Sequence, residues 1–136
     1  VRAWMPLAVG CLTILSIATM AVAAPSKEEV KSVAGIFDFT AVDDLAVLKV
    51  CGKPELETQY LHSLIDAGLA YPNADPKKVM ALIRQIQRKA SFLAESRTRF
   101  NQSAPPTPEE FEEGCRFDVR QAEKRIETLD DFIFKS

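Results

Sequence analysis

Histidine occurs once in this chain of 136 residues, as His62. No P-loop, GxGxxG, GxSxG or HExxH run is present, so nucleotide-cradling loops, the nucleophile elbow and zincin chemistry have no support. Zinc asks for three or four protein ligands, and no cluster of His and Cys supplies that spacing. No metal and no cofactor is therefore expected. A basic excess is missing too: the net charge is −2, which gives no case for nucleic-acid binding. There are 3 cysteines but no CxxC, so thioredoxin-like chemistry is unsupported. After the first apolar run, ending near Met20, no second run is long enough to cross a bilayer. Carboxylate pairs abound among 19 acids, but glycosidase chemistry needs a cleft that a domain this small rarely provides.

What is present begins with an export signal. Arg2 is a short positive start, Leu7 to Met20 carries no charge, and Ala21-Val22-Ala23 offers small residues for a signal peptidase. Cleavage before Ala24 removes Arg2 and leaves a mature domain, 24–136, with a net charge near −3, one unit beyond the −2 of the whole chain. An uncleaved N-terminal anchor is one alternative. Lipidation of Cys11 is another, although the apolar run continues past it where a lipoprotein would turn polar. Val1 fits a bacterial alternative start codon as well as a chain that begins further upstream. A bacterial periplasmic or secreted location follows.

Signal cleavage would leave Cys51 and Cys115. In an oxidising compartment an even pair is expected to form a disulfide. The loop-entropy account assigns about 4 kcal/mol to a bridge over so long a span.

The strongest helix signal runs from Thr107 to Ile133. Thr107 and Glu110 form a capping box, Pro108 takes the first helical position, and Glu109, Glu110, Glu112 and Glu113 suit the positive end of the helix dipole. Phe111, Cys115, Val119, Ala122, Ile126, Leu129 and Ile133 recur at spacings of three and four, which makes one apolar stripe. A second long helix is expected from Pro76 to about Phe100, capped by Asp75, with a proline-rich turn from Asn101 to Pro106 between the two. Three shorter helices precede them. Ser26 caps one from Lys27 to about Phe37, followed by a corner at Asp38 and Phe39. Thr40 caps the next, from Ala41 to Cys51, with a strand over Leu45–Val50 as the competing reading and Gly52 as its terminator. Pro54 starts the third, which ends between Gly68 and Asn73. The fold class is therefore all-α: a small bundle of about five helices built on a long antiparallel αα-hairpin, with one disulfide. No repeat and no domain boundary is visible within Ser26–Ser136.

Candidate chemistry is thin. His62 and Asp66 stand four residues apart on one helix and could pair as a general base, the basis of a small-hydrolase reading. Arg84, Arg88, Lys89, Arg97 and Arg99 are interleaved with acids and read as a solvated face. Phe132, Ile133 and Phe134 are adjacent, so a helix cannot bury all of them on one face, and they are the candidate partner-binding residues. The leading expectation is a non-enzymatic binding module whose partner is another envelope protein. The alternative is a periplasmic stress chaperone, since small two-cysteine helical chaperones share this size and composition.

Overall fold

The strongest sequence signals become the longest elements. The computed structural model describes residues 23–136. The export-signal and Cys11 expectations fall on the preceding residues and lie outside it. The described residues form α1 (Lys27–Gly35), a π-helical turn (Ile36–Thr40), α2 (Ala41–Val50), α3 (Pro54–Ala70), α4 (Pro76–Ser103) and α5 (Pro108–Lys135).

The caps follow from side-chain chemistry. The hydroxyl oxygen of Ser26 accepts from Glu29 N–H, the Asp75 carboxylate accepts from Lys77 N–H, and Thr107 accepts from Glu110 N–H at 3.1 Å. At the end of α2, Gly52 takes φ +66, a conformation that costs glycine nothing. Lys53 N–H then donates to Leu48 C=O and Gly52 N–H to Lys49 C=O, the two bonds of a Schellman motif. Cys51 is the C-cap residue of this motif and Cys115 lies two turns into α5; the two form a disulfide across a separation of 64 residues.

Several expectations are corrected. The corner at Asp38 and Phe39 is a π-helical turn, so α1 continues into α2 without leaving helical geometry. The wider turn re-phases the apolar face from Val33 and Ile36 onto Ala41 and Leu45, all of them buried. Thr40 makes no capping bond; its hydroxyl reaches back to Ile36 C=O at 3.5 Å. Leu45–Val50 is helix, as the leading reading has it, and not the competing strand. α3 ends at Ala70, inside the expected span from Gly68 to Asn73, and Gly68 lies buried in its last turn, where a Cβ would stand 2.7 Å from a methyl group of Val79 on α4. The glycine lets the two helices approach. Helix α4 continues to Ser103, and Pro105 then forbids further helix.

One core draws on all five helices, including Val33, Leu45, Leu64, Ile83, Ile126 and Phe132. α2 is the centre of the packing. It lies along α4 and also against α5 and α3, while α3 packs on α5 and α4. Lys49–Glu57 and Asp44–Tyr60 pair α2 with α3 in antiparallel sense, and Asp44–Arg125 and Cys51–Cys115 do the same for α2 and α5. The result is an all-α, disulfide-bonded bundle in which the two longest helices follow one another through Ala104–Thr107 and α2 touches both.

Candidate functional site: an open groove and a buried acid

The apolar stripe of α5 is only half used by the core. From Ala122 onward, Ala122, Ile126, Leu129 and Phe132 are buried. Before it, Phe111 is exposed and Cys115 and Val119 are half-buried. α4 shows the complementary pattern: Ile83, Ile86, Ala90 and Ala94 are buried, and the nine residues that follow are not. α2 packs against both helices and ends at Cys51, and above it the space between the α4 C-terminal turns and the α5 N-terminal turns stays open among the described residues.

The space left is an open groove of about 780 Å³. Its floor is α2, with Val47, Val50 and the disulfide. Phe100 and Asn101 stand on the α4 wall; Gly114 and Phe117 stand on the α5 wall. Phe100 is 67% exposed and Phe117 64% exposed. A pair of phenylalanines so placed keeps apolar area in water that nothing among the described residues covers. Gly114 is helical, and a Cβ added there would meet nothing within 4 Å. Among the described residues nothing crowds this glycine, which costs the helix about 1 kcal/mol relative to alanine.

At the inner end of the groove sits a buried acid. Asp44 is 7% exposed. Its Oδ2 accepts the phenolic proton of Tyr60 at 2.6 Å and lies 3.4 Å from Nε of Arg125. Arg125 is fixed in turn by donating to the carbonyl and the side-chain oxygen of Gln121, both at 3.3 Å. Burial pushes the Asp44 carboxyl above the usual carboxylate range, against the pull of Tyr60 and Arg125. Burial, followed by the charge and hydrogen bond of Asp44, pushes the Tyr60 phenol up as well. Two clues to this network were in the sequence. Tyr60 sits on an apolar face, where a buried hydroxyl needs a partner, and Asp44 lies in a helix apolar on more than one side.

The residues singled out from sequence fall as follows. His62 and Asp66 are both exposed on α3 and line none of the groove. The neighbouring Ser63 is buried and donates to Asp130 at 2.6 Å, tying α3 to α5. Phe132 is 1% exposed and belongs to the core, Ile133 is half-buried against it, and Phe134 is 73% exposed. Only Phe134 of the three is on the surface. Lys135 closes the end of the bundle by donating to Glu29 at 3.0 Å, a bond that holds the Glu29 carboxyl below its ordinary value. Among the described residues, no group of three or more His, Cys, Asp or Glu side chains has the placement to hold a metal ion. No helix among them is long and apolar enough to cross a membrane. Comparison with protein-family models, curated proteins and solved structures gives no match in any of the three.

Proposed function

We propose that this chain is an exported, non-enzymatic binding module of the bacterial cell envelope, and that it holds another protein in the groove between α4 and α5. The observation that carries the reading is the exposure of Phe100 and Phe117 on facing walls of one concavity. Large rigid apolar side chains of this kind serve as anchors in protein interfaces when a partner removes them from water. The tail contributes less, because Phe132 is committed to the core and Phe134 stands apart from the groove.

The test is differential capture from envelope extract. Gly114→Arg puts a long side chain on the groove wall at a position where an added Cβ meets nothing within 4 Å among the described residues. A partner retained by the wild type and by Phe134→Ser, but lost with Gly114→Arg, is the expected result. A partner set unchanged by Gly114→Arg contradicts the proposal.

The exposed Phe39 and Phe92, on surfaces outside the groove, favour a second reading as a chaperone that holds unfolded clients. Its signature would be dye binding to exposed apolar surface together with suppression of client aggregation, in acid or after reduction. Cooperative unfolding without client protection counts against it.

A further inference from the structure

Resting on the binding reading, we infer that the groove takes a basic amphipathic helix of a partner protein, about four turns long. The α5 wall runs from Glu110 to Arg125, which at 1.5 Å per residue is about 22 Å. That length suits a helix of about 15 residues laid along α2, with its apolar face on Val47, Val50 and the two phenylalanines.

The charges select the sign of the partner. The basic residues that line the groove are Arg97 and Arg125, and each is held by an acid of this chain, Asp43 at 3.2 Å and Asp44 at 3.4 Å. Glu110 and Asp118 also line it and have no ion-pair partner among the described residues. The free charge at this face is therefore negative. Lysines or arginines on the polar flanks of the incoming helix would meet it, speeding encounter and fixing orientation. A second copy of this chain offering the same face would bring like charges together, which disfavours self-association through the groove.

Gly114 completes the inference. This helical glycine, uncrowded among the described residues, removes a side chain from the α5 wall of the groove. Helices approach most closely over such positions, as α3 and α4 do over Gly68 within this fold.

The probes are three labelled helical peptides of about 16 residues, read by fluorescence anisotropy on the purified, oxidised protein. One has an apolar stripe flanked by lysines, one has the same stripe flanked by glutamates, and one has the lysines without the stripe. The basic amphipathic peptide is expected to bind at least about tenfold more tightly than either control, with its advantage over the acidic peptide shrinking between about 50 and 500 mM salt. Gly114→Arg and Asp118→Lys should each weaken it about tenfold without lowering helicity or the thermal midpoint, which Gly114→Arg should raise because arginine is a better helix former than glycine. Equal binding of the acidic and basic peptides overturns the partner's chemistry; if Gly114→Arg still abolishes capture of an envelope partner, the groove itself survives as the binding site. Peptide binding and envelope capture both indifferent to Gly114→Arg overturn the groove. A dimer in sedimentation that Gly114→Arg dissolves overturns the proposal in favour of a second copy.

Discussion

The phenol of Tyr60 donates to Oδ2 of Asp44 at 2.6 Å across 16 residues of sequence, and this bond joins α3 to α2 inside the bundle. Both partners are buried, so neither can turn to water if the other is removed. Tyr60→Phe takes away the donor and leaves the carboxylate with Arg125 alone. The expected loss of folding stability is about 1–3 kcal/mol, read as a shift of the urea midpoint at constant slope.

The same acid gives stability a pH dependence of definite sign. The folded protein holds the Asp44 proton more tightly than the unfolded chain, whose aspartates titrate near 3.8. Protonation therefore favours the folded state. The contribution of Asp44 is fully present below the unfolded value and is lost as pH rises towards the raised folded value. Measured against Asp44→Asn across an acid series, the wild type should lose relative stability with rising pH in that window and then level off. A relative stability that grows with pH through the window would contradict the assignment.

Two glycine-to-alanine substitutions should have opposite signs. At Gly114 the new methyl meets nothing, so Gly114→Ala gains helix propensity worth about 1 kcal/mol. At Gly68 the methyl stands 2.7 Å from Val79, and the α3–α4 contact must open. Gly68→Ala should cost about 1–3 kcal/mol. Thermal midpoints of the two variants check both signs in one experiment.

The disulfide holds the uncovered part of α5 to the end of α2, where the core gives it little other support. Cys51→Ala with Cys115→Ala should remove about 4 kcal/mol by the loop-entropy account. Hydrogen exchange should show the loss of protection concentrated in the first turns of α5, and the core segment from Ala122 to Phe132 less affected.

Local signals made the fold readable. The caps at Ser26, Asp75 and Thr107, the proline starts and the three-and-four spacing each act within one turn of helix, so sequence order reveals them. The pairing of Cys51 with Cys115 was legible because past the apolar run that holds Cys11 the sequence has no other cysteine. What stayed hidden depends on distance in space. Asp44, Tyr60 and Arg125 are far apart in sequence and meet only because α2 packs between α3 and α5. The groove was hidden for a related reason. Periodicity marks Phe111, Cys115 and Val119 as one stripe with Ala122 and Ile126, but it does not say how far along α5 the cover extends. Which of Phe132, Ile133 and Phe134 the core takes was hidden for the converse reason: three adjacent apolar residues look alike until packing selects among them, and Tyr71 lies against the Phe132 ring with centroids 6.2 Å apart.

Nuclear magnetic resonance on isotope-labelled protein titrated with the basic amphipathic peptide tests the central claim most directly, because it reports where contact occurs residue by residue. Amide shifts concentrated at Val47–Cys51, Phe100–Asn101 and Glu110–Gln121, absent in Gly114→Arg, are the expected result. Shifts centred instead on Phe134 or Phe39, or no shifts at all, would contradict it.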